Sequence, residues 1–280
     1  MQVQATDPQQ IPFTEELKIC IVSKGDRCET FGKKTFRNII KNANVDLTSQ
    51  CSLWLQTPET FEEHLKYGIK QYLLPAGLRS VYNEITKRHA QGQRIVILHD
   101  DVGGIKEPSA ILGKTKQVED CGALFQRVFE VMEKEGAKLG GLYGSLRNMP
   151  RDGDEYTLGL QMIFDPVTFL FNQKSIVLKE EFDLFLDIHR MLEFHRQGFP
   201  ILRMNKVGID TVMNKTNDDT GFGFRTQKMW ADALPALLAE YRSYISGAPK
   251  WKTRWYSFSF KEVCVVSFVL QESIYKGCSA

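Results

Sequence analysis

The chain has 280 residues, 36 Lys and Arg against 34 Asp and Glu for a formal net charge of +2, and 42% hydrophobic and 25% charged residues. This is the balance of a soluble globular chain of one large or two small domains, with core enough to fold without a disulfide or metal staple. Net charge argues neither for nor against nucleic acid. The six cysteines lack CxxC spacing, which speaks against a zinc site or a dense disulfide framework.

Residues 1–15 are polar, carry no apolar signal core, and read as a disordered lead-in. With no 18-residue apolar span, the expectation is no membrane and an intracellular, nuclear or cytoplasmic, protein. Leu17 to Ser23 reads as a first buried strand, followed by a polar loop that carries Lys24 and Arg27. A helix is expected over Thr35 to Asn42, with Phe36, Ile39 and Ile40 on one face. Ser52 to Gln56 is a second strand, and Thr57 with Pro58 marks a helix start. Gln71 to Leu74 is a third strand, Leu78 to Ala90 an amphipathic helix, and Arg94 to Leu98 a fourth strand. This β-α-β-α-β-α-β alternation predicts a doubly wound, mainly parallel α/β sheet. Ligands of such sheets sit outside the carboxyl ends of the strands. The loops Ser23–Arg27, Gln56–Thr57 and His99–Gly104 therefore gather on one edge.

The second half is mixed. Gly122 to Gly136 reads as a helix, and Lys138 to Gly144 as a glycine-rich strand. Strand-like pieces flank Asp165 and Pro166. Lys179 to Gln197 is expected to form one long helix, on which His189, Arg190, His195 and Arg196 make an exposed basic face. Phe199 to Met204 reads as the last strand, Asn217 to Arg225 as a glycine-containing loop, and Gln227 to Tyr244 as a helix. Lys250 to Trp255 interleaves cations with aromatics, a pattern that suits stacked bases and phosphates or, equally, a solvated turn. Residues 257–280 read as an edge strand or a tail without an assigned role.

The fourth strand ends in His99, Asp100 and Asp101 and opens into Gly103 and Gly104. Adjacent carboxylates repel each other and are costly to desolvate, so a cation is the usual reason to keep them together. A nucleoside diphosphate leaving group concentrates negative charge, and a divalent cation with oxygen ligands neutralises it. Asp101 is the expected direct ligand, and Asp100 the residue that meets the ribose or a metal-bound water. His99 is expected to be structural.

Five segments appear in order: Lys18 to Gly25, Arg79 to Asn83, His99 to Val102, Lys179 to Asp183 and Gly221 to Arg225. Together they resemble the TET/JBP-associated glycosyltransferase family, which includes the base J glucosyltransferases, over residues 16–250. The resemblance implies a single GT-A domain, placed at 16–256, and a doubly wound sheet with a mixed second half. It also implies a UDP-sugar donor, a divalent cation (Mn²⁺ or Mg²⁺), and inverting transfer of a sugar, glucose above all. The acceptor it implies is a hydroxymethylated pyrimidine in DNA. Ser23, Lys24 and Arg27 then receive the uracil and ribose, Arg79 and Asn83 stand near the nucleotide on one helix face, and Gly141 runs beside the sugar. Gly221 and Arg225 approach the diphosphate. Glu181 takes the place of the catalytic base, with Asp183 as the second choice. The Glu180–Glu181 pair departs from the family's Glu-Asp, and no His follows His195 to complete a metal site. The same chemistry on a protein or glycan hydroxyl, or a GT-A-like module that only binds, stand as alternatives.

Overall fold

The computed structural model describes residues 16–23, 26–44, 46–56, 61–74, 77–111, 114–144, 146, 149–150, 152–211, 227–252 and 255–260. The expected lead-in, the helix start at Thr57 and Pro58, the loop at 217–225 and the tail beyond 260 lie outside these residues.

The first half follows the expected alternation. Strand β1 (Lys18–Ser23) leads into helix α1 (Cys28–Phe31), which continues through Gly32–Ile40 with wider, π-type turns. Strand β2 (Cys51–Leu55), the short helix α2 (Phe61–His64) and β3 (Lys70–Leu73) come next. Helix α3 (Leu78–Arg88) then precedes β4 (Arg94–His99). Gly77 caps α3 at φ +107°, a backbone conformation that favours glycine. The second half holds β5 (Gly104–Pro108), β6 (Thr115–Gln117), α4 (Cys121–Lys134), β7 (Leu139–Tyr143), β8 (Tyr156–Gly159) and β9 (Val167–Phe171). It continues with α5 (Leu186–Arg196), β10 (Ile201–Asp210), α6 (Gln227–Tyr241), β11 (Ile245–Lys252) and β12 (Trp255–Phe260).

Ten strands form one sheet in the order β3-β2-β1-β4-β9-β7-β10-β5-β6, with β8 added against β10. Strands β1, β2, β3, β4, β7 and β10 run in the same direction, and β9 is inserted antiparallel between β4 and β7. This is a mixed α/β fold with a largely parallel central sheet, parallel in its first half and mixed in its second. The side-chain alternation of β1 and β4 divides the core. Ile19, Ile21, Val96 and Leu98 pack with the Cys28–Ile40 helix and α4, whereas Cys20, Val22, Ile95 and Ile97 pack with α3, α5 and α6. Strands buried on both faces read as continuous apolar runs, which is why β1 and β4 were legible in the sequence.

Three elements differ from expectation. The segment expected as one helix over 179–197 is a tight 3₁₀ stretch at Glu180–Phe185 followed by α5, because Phe185 leaves helical geometry at φ −115° and ψ 32°. Strand β10 runs on to Asp210, with an irregularity between Met204 and Gly208. It is not the last strand, since β11 and β12 form a separate antiparallel pair that spans the basic aromatic segment.

Candidate functional site

The order of strands reverses between β1 and β4. Strands β2 and β3 lie to one side of β1, and β4 with all later strands lies to the other. The crevice outside the carboxyl ends at such a switch point is where open α/β sheets bind ligands. Ser23 ends β1, and Asp100 and Asp101 directly follow β4. The pairing of Val22 with His99 brings these ends together, and the Asp100 N–H donates to the Val22 carbonyl at 3.1 Å.

The side chains then close a compact constellation. Ser23 Oγ donates to Asp100 Oδ2 at 2.7 Å. Arg27, the residue before α1, donates through Nη1 to Asp100 Oδ1 and through Nη2 to Asp101 Oδ2, each at 3.0 Å. Asp100 is only 1% exposed. Burial pushes its carboxyl up to about 7, against the pull of Arg27 and the Ser23 hydroxyl.

The Asp-Asp turn is pinned from two sides. Thr35 Oγ1 donates to the His99 carbonyl at 2.7 Å and accepts from the Val102 N–H at 3.0 Å. The Gly103 N–H donates to the Asp210 carbonyl at 2.7 Å, and a Cβ on Gly103 would lie 2.8 Å from that oxygen. Only glycine lets the end of β10 approach the turn this closely.

A buried polar network backs the site. His99 Nε2 shares a 2.8 Å hydrogen bond with Tyr82 Oη, and burial pushes the imidazole below its ordinary pKa. His99 thus ties the end of β4 to α3. The guanidinium carbon of Arg190 lies 4.7 Å over the Tyr82 ring, and Arg190 Nη2 bonds Thr168 Oγ1 at 2.8 Å and pairs with Asp165. Asp165 precedes β9, and the His99 N–H bonds the Pro166 carbonyl at 3.0 Å, so a further carboxylate flanks the end of β4. Asp165, Tyr82, Thr35 and Arg190 carry no isolated sequence signal. The closest is the Asp165–Pro166 pair before an apolar run, which marks a strand start but not its antiparallel partner. The exposed basic face expected on α5 is corrected here: His189 is 0% and Arg190 4% exposed, because that side of the helix packs on the sheet.

The remaining expected residues divide. Arg79 and Asp183 do meet: Arg79 Nε bonds Asp183 Oδ1 at 2.8 Å, and its Nη2 pairs with Glu180 at 3.3 Å. Glu181 is exposed on the same 3₁₀ segment and has no ion pair among the described residues. The amide of Asn83 is turned to a backbone segment. Its Nδ2 donates to the Leu178 carbonyl and its Oδ1 accepts from the Leu178 N–H, both at 2.9 Å, so it clamps α3 to the segment that carries Glu180–Asp183. Gly141 lies in the packed strand β7. A Cβ there would meet Ile163 Cβ at 2.7 Å, so the glycine serves close packing. Lys24, Gly221 and Arg225 lie outside the described residues.

No cluster of three or more His, Cys, Asp or Glu able to hold a metal ion occurs among the described residues. Carboxylate oxygen nonetheless suits a hard divalent cation. Asp101 is partly exposed, and its Oδ1 has no partner among the described residues, whereas both oxygens of Asp100 are engaged. Among the described side chains one carboxylate oxygen, Asp101 Oδ1, is thus open to a cation, and no second carboxylate oxygen joins it. No described helix is long and apolar enough to cross a membrane.

No family model and no curated protein matches the chain. Among solved structures it is similar to S. aureus TarS 1-349 in complex with UDP-GlcNAc, at 8% identity and TM-score 0.49, over 80% of this chain and 66% of that one. It is also similar to S. aureus TarS at 9% identity and TM-score 0.47, over 80% of this chain and 39% of that one. GalNAc-T7 with UDP, GalNAc and Mn²⁺ aligns at 9% identity and TM-score 0.44, over 81% of this chain and 50% of that one. The chain thus spans less than two thirds of each of these proteins.

Proposed function

We propose that the chain is a metal-dependent, inverting GT-A glycosyltransferase that moves a sugar from a UDP-sugar to a hydroxymethylated pyrimidine in DNA. The observation that carries the donor half is the Ser23–Asp100–Arg27–Asp101 constellation at the β1/β4 switch point. The acceptor half rests on the ordered family resemblance and on the cation-aromatic sequence of Lys250 to Trp255. It places the protein where DNA is, in the nucleus or cytoplasm.

In this reading Ser23, Lys24 and Arg27 receive the uridine, and Gly221 and Arg225 approach the diphosphate. Asp101 holds the divalent cation, Mn²⁺ or Mg²⁺, which when bound offsets the charge of the departing diphosphate. Buried Asp100 orients Arg27 and Ser23. Glu181 accepts the proton of the acceptor hydroxyl as that oxygen attacks the anomeric carbon from the face opposite the nucleotide. The bond pair between the sugar and the phosphate oxygen leaves with UDP. Asp183, tied to Arg79, sets the orientation of the short segment that presents Glu181.

A panel of UDP-sugars tests this reading, UDP-GlcNAc and UDP-glucose among them. Each is incubated with Mn²⁺, with and without DNA containing hydroxymethylcytosine or hydroxymethyluracil, and UDP release is read out. The expected result is release stimulated about tenfold or more by one of the modified DNAs and lost in Asp101→Ala. Release that no DNA stimulates moves the acceptor to a protein or glycan hydroxyl. Binding of UDP-sugar without release under any acceptor leaves a non-catalytic module.

A further inference from the structure

The turn that presents the aspartate pair runs from His99 to Val102, with Asp100 and Asp101 as its central residues. The first carbonyl and the last N–H of such a turn set how tightly it closes, and closure fixes the backbone angles of the residues between them. Here both groups meet one hydroxyl. Thr35 Oγ1 donates to the His99 carbonyl at 2.7 Å and accepts from the Val102 N–H at 3.0 Å. Thr35 is 0% exposed, so water does not compete for either bond. A threonine inside a helix more often turns its hydroxyl to a carbonyl of its own helix. Thr35 lies within Gly32–Ile40 and directs both its donor and its acceptor to the turn instead. Three residues on, Asn38 Nδ2 donates to the Gly103 carbonyl at 2.6 Å. Arg27, at the start of the same helical element, holds the two carboxylates. One element thus grips both the backbone and the side chains of residues 99–103. Asp100 is fixed independently, by Ser23 Oγ and by its own N–H on the Val22 carbonyl. The Asp101 side chain is held, among the described residues, by Arg27 alone, so its direction depends on the shape of the turn.

We propose that Thr35 is a positioning residue of the candidate site. Its hydroxyl is a spacer in the His99–Val102 turn that sets the direction in which Asp101 meets a UDP-sugar, and Asn38 holds the exit of the turn. Without the hydroxyl, the His99 carbonyl and the Val102 N–H are buried groups without that partner, and they relieve the penalty by bonding each other. The turn then tightens and swings Asp101 off the Arg27 fork. The inference rests on the glycosyltransferase reading for its ligand, not for the geometry of the turn.

Two substitutions in the full chain test it. Thr35→Val keeps the shape of the side chain and removes the hydroxyl, whereas Thr35→Ser keeps the hydroxyl. UDP release from UDP-GlcNAc and UDP-glucose is measured at a temperature at which the thermal melt shows each variant folded. Thr35→Val should raise KM for the UDP-sugar about tenfold, the equivalent of the two lost hydrogen bonds. Thr35→Ser should return KM to within about threefold of the native value. A role confined to stability would lower the melting temperature of Thr35→Val and leave the KM of the folded protein unchanged, and that result overturns the proposal while the glycosyltransferase reading stands. Should Thr35→Val not fold, Asn38→Ala removes the bond to the exit of the turn, and an unchanged KM in that variant overturns it instead. A native chain that releases no UDP from either sugar nucleotide removes the glycosyltransferase reading. The turn is then judged by nuclear magnetic resonance of the Arg27 guanidinium protons. Their exchange with water should quicken about tenfold in Thr35→Val and not in Thr35→Ser, and unchanged exchange in Thr35→Val overturns the proposal.

Discussion

His89 is buried, and its ring is anchored by a 2.9 Å hydrogen bond from Nδ1 to the Ile85 carbonyl. A carbonyl only accepts, so Nδ1 carries the proton and Nε2 faces Cys20 Sγ at 3.9 Å as an acceptor. Burial lowers its pKa from 6.5 to about 4, with the Ile85 carbonyl opposing the shift. Between those values the unfolded chain binds the proton and the native chain does not, so stability is full above about pH 6.5 and is lost as pH falls toward about 4. The contribution of His89 to this loss should approach ~3 kcal/mol, read as the difference between the native chain and His89→Gln in urea unfolding at pH 7 and pH 4, because the raised Asp100 carboxyl works in the opposite sense over the same range. His89→Gln should flatten that part of the profile, and an unchanged acid slope would remove His89 as its cause. At the β1/β4 edge, Ser23, Arg27, Asp100 and Asp101 were legible because apolar runs that end in polar residues mark strand ends. Asp165, Tyr82 and Arg190 were not, because they meet only once β9 is inserted antiparallel beside β4.

Among the elements, the segment from Glu180 to Arg196 departs most usefully from its sequence pattern. Its acidic and apolar residues suit one helix, yet the first six residues wind as 3₁₀ and only then become α5. Tertiary partners account for this: Arg79 and Asn83, one turn apart on α3, grip the segment and the residue that leads into it. Asn83→Ala should cost ~1–3 kcal/mol, the penalty of leaving the two Leu178 backbone groups without their partner. It should also raise KM for the UDP-sugar while Asn83→Asp loses only part of each effect. Unchanged urea unfolding and KM in Asn83→Ala would show that the clamp positions nothing. Strands β5 and β6 escaped the sequence reading for another reason. Lys106, Glu107, Pro108, Lys116 and Gln117 have no apolar alternation, and the pairing of β5 with β10 and of β6 with β5 holds them in the sheet.

At the scale of the molecule, the parallel half was predictable because each of its strands is a buried apolar run separated from the next by a helical pattern. Right-handed crossovers then place its helices on the faces of the sheet. The order β9-β7-β10 was not predictable, since it depends on long-range pairing, antiparallel between β9 and β7 and parallel between β7 and β10. The candidate site divides along the same line: the β1/β4 edge belongs to the parallel half, whereas the Glu180–Asp183 segment belongs to the later, mixed half. The central claim is therefore that the β1/β4 edge binds a nucleoside diphosphate through Asp101. Calorimetric titration of UDP in the presence of Mn²⁺ tests it most directly. The account predicts saturable binding by the native chain and at least about tenfold weaker binding by Asp101→Asn. No binding by the native chain, or equal affinity in the variant, would contradict it.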